Sequence, residues 1–205
     1  MQLKQKDIKQ MKEPTAAYNE QKDGFTPVAP GVYQSHIIAL RSREIDTRIV
    51  FNFQIKVAEE AGALDVPVMV KNGSEGAQIQ YDDSGKAIMS KATYMVGRTF
   101  ETRGIWFTPT PTSKERWRNR DYKEFCENIG IEFPVDSKTN DVSLGEIEES
   151  DVLGLPLLAK IGTLEYTNKK TKKTVKKIAV LNAFGWDNGK RLEPSELEDT
   201  QEPPF

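Results

Sequence analysis

Residues 47–57, TRIVFNFQIKV, alternate with a period of two along their whole length. Ile49, Phe51, Phe53, Ile55 and Val57 fall on one side, and Arg48, Val50, Asn52, Gln54 and Lys56 on the other. A helix would scatter these apolar residues around its circumference, whereas a strand collects them, because successive side chains point to opposite faces. The segment therefore demands a sheet with one buried face and one wet face.

The flanking segments extend that reading. Pro30-Gly31 reads as a turn that launches VYQSHIIAL, a strand rich in β-branched residues. RSREIDTR then reads as the loop joining it to the 47–57 strand. From Glu59 to Lys91 the chain runs through Gly, Asp and Ser with two short apolar stretches, VPVMV and AQIQY, an excursion with a small hairpin. TYMVGRTFETRGIWF (93–107) reads as a third long strand, with Gly97 and Gly104 as places to bulge or bend.

After it the period changes. Thr112 to Glu115 fits a capping box and Gly130 supplies a stop, while Tyr122, Phe125, Cys126 and Ile129 share one side of a helical wheel. An amphipathic helix of roughly four turns, docked on a sheet, is the expectation. A polar stretch (134–151) leads to LPLLAKIGTLEYT and TVKKIAVLNAF, two strands joined by the tip NKKTKK, and GWDNGKRL closes the domain.

About five strands with one substantial helix between the third and fourth predict a mainly β domain, an OB-fold-like five-stranded Greek-key barrel. A sandwich of immunoglobulin type would carry about seven short strands and no such helix. The expected boundaries are a polar arm at 1–24, the barrel at 25–191 and an acidic flexible tail at 192–205.

Composition sets the limits on function. The 205 residues are 37% hydrophobic and 29% charged, enough for one modest core with polar extensions. No apolar run approaches the roughly 20 residues of a membrane span, and the N-terminal stretch lacks the apolar region of a signal peptide. Cys126, the one cysteine, excludes an internal disulfide and fits a reducing compartment. A cytoplasmic protein is expected.

The net charge of −2 is unevenly placed. From Leu192 onward there are five carboxylates and no Lys or Arg, so residues 1–191 carry 26 carboxylates against all 29 Lys and Arg, a net of +3. The body is mildly basic and the tail acidic.

Catalytic and metal chemistry find little support. His36 stands alone inside the first strand with no second ligand at metal spacing, and Cys126 falls on the apolar face of the helix. Glycine-rich phosphate loops are absent. A metal nuclease would want Pro-Asp followed on a strand by Glu-x-Lys, and both Pro134-Val135-Asp136 and LEYTNKK miss that spacing. The expectation is a non-enzymatic protein without cofactor or metal.

Basic residues interleaved with aromatics point elsewhere. Single strands of nucleic acid are held by cations along the phosphates and by rings stacking on bases, each stack worth roughly 1–3 kcal/mol and nearly indifferent to sequence. Three clusters qualify: Arg41, Arg43 and Arg48 in RSREIDTR, with Lys56 beyond; Tyr94, Arg98, Arg103 and Trp106 in the third strand; and Lys169, Lys170, Lys172 and Lys173 at the NKKTKK tip. Two of them fall on the first and last hairpin loops, where OB-folds grip oligonucleotides. Trp117 lies roughly 130° from the centre of the helix's apolar face, either an exposed contact or a ring packed on TPTPT.

APGVY, VFNFQI, GRTF followed by Trp106, FCENIGI, GLPLLAKIG and the closing EPPF together resemble phage-encoded single-stranded DNA-binding proteins of the OB-fold type. Pro204-Phe205, with Glu198, Asp199 and Glu202 upstream, is similar to the acidic tip of bacterial single-stranded DNA-binding proteins. In that family the terminal Phe docks on replication and repair enzymes. Here Pro203 replaces the usual branched residue and the acids are spread out. The resemblance implies a sequence-tolerant single-stranded DNA-binding protein, monomeric or dimeric, acting in replication or recombination in the host cytoplasm and recruiting partners through its tip. An inhibitor that grips a host enzyme without touching DNA, and a strand-annealing protein, are the alternatives.

Overall fold

The computed structural model describes residues 27–71, 77–112, 116–167 and 172–198. The chain is mainly β. Its largest sheet is antiparallel, in the order β10-β9-β1-β2-β7, with β8 also on β2. These strands are β1 (Gly31–Ile45), β2 (Arg48–Val57), β7 (Thr99–Glu101), β8 (Ile105–Phe107), β9 (Pro156–Thr167) and β10 (Thr174–Phe184). The 59–91 excursion forms two smaller two-stranded ladders, β3 (Asp65–Pro67) with β6 (Met89–Lys91) and β4 (Met69–Lys71) with β5 (Ala77–Ile79).

The alternation in β2 does what its period requires. Phe51, Phe53, Ile55 and Val57 are fully buried or nearly so, and Asn52, Gln54 and Lys56 remain half-exposed. Helix α1 (Arg120–Asn128) closes that buried face, stacking Tyr122 on Phe51 and Phe107 and setting Phe125 against Phe53 at 4.4 Å between ring centroids. Each fully buried ring contributes on the order of 1.5–3 kcal/mol. These aromatic contacts fix α1 across the core.

The hairpin β9–β10 lies where the apolar runs place it, but other elements depart from expectation. RSREIDTR is no loop. Strand β1 continues to Ile45 and turns at Asp46 and Thr47, with Asp46 at φ 56°, so Arg41, Arg43 and Arg48 sit on paired strands. A β-bulge between Ile37 and Ala39 shifts the phase of β1. Ile37 faces the core opposite Ile55, yet beyond the bulge Leu40 opposes Phe53, and Arg41 and Arg43 go to the outer face.

The stretch 93–107 is not one long strand. Ala92–Met95 is a 3-10 turn, Gly97 takes φ 77°, and β7 and β8 are separated at Thr102–Gly104. Thr102 explains the break: its N–H donates to the Phe53 carbonyl while its Oγ1 accepts the Phe53 N–H, so a hydroxyl stands in for the next backbone acceptor. At the same residue the chain bridges in parallel to Val180 of β10. The two ends of the sheet meet at this bridge and not along a ladder.

The helix begins later than its capping pattern suggests. Arg116–Asn119 is a 3-10 turn and α1 starts at Arg120; Glu115 lies outside the described residues and Thr112 is exposed. Buried Asn119 anchors this entry with both ends of its amide, accepting the Thr108 N–H at 2.8 Å and donating to the Thr108 carbonyl at 2.9 Å. The predicted apolar face is correct: Tyr122, Phe125, Cys126 and Ile129 are all buried. Val50, assigned to the wet face of β2, is only 5% exposed, because Gly104 crosses above it where a Cβ would lie 3.0 Å from its methyl.

GWDNGKRL folds back over the start of β9. His36 faces Trp186 at 5.4 Å between rings and pairs through Nε2 with the Lys190 carbonyl at 3.0 Å. Arg191 donates to the carbonyls of Ser150 and Leu153 at the end of the short helix α2 (Glu149–Val152). The Leu192 N–H donates to Gly154, and Pro194–Glu198 forms the short helix α3. The first part of the acidic tail is therefore folded; residues 199–205 and the arm at 1–24 lie outside the described residues.

Candidate nucleic-acid interface

The first predicted cluster, Arg41, Arg43 and Arg48, shares one surface with Trp106 of the second, the outer face of β1, β2 and β8. Register fixes the rows, since directly opposed residues share a face. Arg43, Val50 and Trp106 form one row, with Ile45 and Arg48 on one side of it and Arg41 and Asn52 on the other. The Arg48 guanidinium lies over the Trp106 indole, 5.8 Å from the ring centroid. Trp106 is 41% exposed, an unusual state for a tryptophan in a sheet and a suitable one for a stacking platform. Farther along β2 the outer face carries Gln54 opposite Glu101, and Lys56 opposite His36 and Thr99. Glu101 tempers the cationic field locally through an exposed 3.7 Å contact with Arg41.

From Trp106 the surface opens into a cleft of about 670 Å³ between the β7–β8 link, α1 and β10. Arg103, Arg118 and Lys160 bring positive charge to it, Asp121 and Glu124 negative charge, and Leu181 an apolar surface beside Gly162. Arg103 reaches Asp121 at 3.7 Å, an exposed pair of little energetic weight. Lys160, Arg118 and Asn182 escaped the sequence reading. A lysine interrupting an otherwise apolar strand was the available signal for Lys160, but the meeting of β7 with β10 was not legible.

Other predicted residues lie apart. Tyr94 and Arg98 are half-buried and face each other, 5.4 Å from guanidinium carbon to ring centroid. They lie near enough to the Tyr33 phenol to interact with it electrostatically, and burial pushes the Tyr94 phenol up and the Arg98 guanidinium down. Their position is the end of β2 at Val57, away from Trp106. Trp117 is 73% exposed, with the Arg118 guanidinium carbon 5.9 Å from its ring centroid.

The β9–β10 hairpin runs past the end of β1 at Gly31, so its distal half is exposed on both faces, with Tyr166 and Ile178 among its exposed residues. Lys172 and Lys173 lie exposed at its tip; Lys169 and Lys170 fall outside the described residues. So do Asp199, Glu202, Pro204, Phe205 and the side chain of Glu198.

Histidine and cysteine occupy packing positions. Burial lowers the His36 pKa, and it pushes the Cys126 thiol up to about 12, beyond ready ionisation. Among the described residues no three His, Cys, Asp or Glu side chains gather in a way that could hold a metal ion, and no helix is long and apolar enough to cross a membrane. Compared with known proteins, the chain matches no family model and no curated protein.

Proposed function

We propose that this is a sequence-tolerant single-stranded DNA-binding protein of OB type, phage-encoded and acting in DNA replication or recombination. The observation that carries the reading is the Arg43–Val50–Trp106 row with Arg48 over the indole, an exposed ring among cations on a sheet face. Phosphates take the arginines and a base takes the ring.

The strand order supports the OB assignment. β9 returns beside β1 to give the spatial order β9-β1-β2-β7, the Greek-key order of a fourth strand lying next to the first. β10 then reaches the β7 end by its parallel bridge at Thr102, with α1 placed before β9. In this correspondence the Asp46–Thr47 turn and the NKKTKK tip are the two loops that flank an OB binding face. The strand would cross from Arg43 and Trp106 through the cleft toward Lys160 and the lysine tip. Glu198, Asp199, Glu202, Pro204 and Phe205 serve in this reading as the contact for replication or recombination proteins, an acidic segment with an aromatic anchor.

Titration of the protein with a thymidine oligonucleotide, followed by tryptophan fluorescence, tests the proposal. Binding should weaken with salt by about −0.7 in log–log slope for each phosphate contacted. No binding at about 50 mM salt and micromolar protein, conditions under which even non-specific phosphate contacts register, would overturn it.

A further inference from the structure

The cleft beside Trp106 presents two carboxylates, Asp121 and Glu124, where the rows of the sheet face carry Glu101 among their cations. A groove that only tracked phosphates would have no use for carboxylates, since they repel the backbone it must hold. Yet Asp121 and Glu124, three residues apart on α1 and so neighbours on its surface, both line this cleft. Asn182 and Lys160, paired in register on β10 and β9, line it as well. Asn182 already commits its Oδ1 to the Ala183 N–H at 2.9 Å, which leaves its two amide N–H groups for a ligand.

The cleft therefore joins carboxylate acceptors with amide, ammonium and guanidinium donors, next to an exposed indole. Its volume of about 670 Å³ lies within the range of small-molecule sites. A nucleobase with an exocyclic amine matches that set. Cytosine offers an N4 amine to a carboxylate and ring acceptors to Asn182 or Lys160; thymine offers O4 in place of the amine and sets two acceptors against each other.

Resting on the single-stranded DNA reading above, we infer that the cleft takes one base of the bound strand and prefers bases bearing an exocyclic amine over thymine, through Asp121 and Glu124. The preference is local. The rest of the strand is held through phosphates and stacking, so thymidine oligonucleotides still bind, more weakly.

The test compares deoxycytidine and thymidine homopolymers of equal length, by fluorescence anisotropy, on the full chain and on an Asp121→Ala/Glu124→Ala variant. Both carboxylates are on the exposed surface of α1, where alanine suits a helix, and circular dichroism verifies that the variant is folded. The wild type should bind deoxycytidine roughly tenfold more tightly than thymidine, the scale of one well-matched base contact. In the variant the ratio should fall close to one, with thymidine binding at least as tight as before, because two charges that repel phosphate are gone. Equal wild-type affinities, or a ratio that survives the double substitution, overturns the inference while leaving the DNA-binding reading in place. Failure of both homopolymers to bind the wild type overturns both.

Discussion

Arg48 and Trp106 lie on different strands, β2 and β8, and the guanidinium of the first covers the indole of the second at 5.8 Å. Trp106 opposes Val50 in register, so the ring is held on the outer face by the ladder and by the cation together. The pairing gives two distinguishable expectations. Trp106→Ala should weaken binding of single-stranded DNA by the equivalent of about 1–3 kcal/mol, with little change in salt slope. Arg48→Ala should reduce the log–log salt slope by about 0.7 as a phosphate contact is lost. Salt-dependent titrations of the two variants separate the roles; identical slopes for Arg48→Ala and wild type would remove Arg48 from the interface.

Asn119 ties the start of α1 to the end of β8 by two hydrogen bonds to one residue, Thr108. Both residues are buried. Replacing Asn119 by Ala strands the Thr108 N–H and carbonyl away from water, and we expect a loss of about 2–4 kcal/mol in unfolding free energy. Urea denaturation of Asn119→Ala measures it, and a loss below about 1 kcal/mol would show that water reaches Thr108.

Gly154 and Gly85 share a left-handed backbone, at φ 75° and 79°, but not a neighbourhood. A Cβ on Gly154 would collide with the Leu192 carbonyl oxygen, whereas one on Gly85 would meet nothing within 4 Å. Gly85→Ala should therefore cost about 1–2 kcal/mol, the backbone term alone. Gly154→Ala should cost clearly more and should also release the segment from Leu192 onward. Thermal melts of both variants provide the comparison, and proteolysis near residue 192 reports the release.

His36 links pH to stability. Burial lowers its native pKa, so below the unfolded value near 6.5 the unfolded chain takes up a proton that the native protein resists. Stability is complete above that pH and declines as pH falls through it toward the lowered native value, by at most about 1.4 kcal/mol per pH unit. His36→Gln should flatten this dependence between about pH 7 and 5. An unchanged slope in denaturation measured across that window would assign the acid sensitivity to the carboxylates.

What can be read from the chain alone is what local periodicity encodes. The alternation from Ile49 to Val57, the shared face of Tyr122, Phe125, Cys126 and Ile129, and the two strands around NKKTKK each depend on neighbours a few residues apart. The mainly β class and the helix before β9 follow from their order. The tertiary structure decided everything that depends on which distant segments meet. The bulge between Ile37 and Ala39 sends Arg41 and Arg43 outward; it falls just where β1 leaves its ladder with β9, which ends at His36, and runs on against β2. Thr102 divides β7 from β8 because its hydroxyl replaces a backbone acceptor opposite Phe53 just where the chain turns to meet Val180. The cleft at that meeting point joins residues from 102 to 183. No spacing along the sequence could place them together, since side-chain period is local and strand pairing is not.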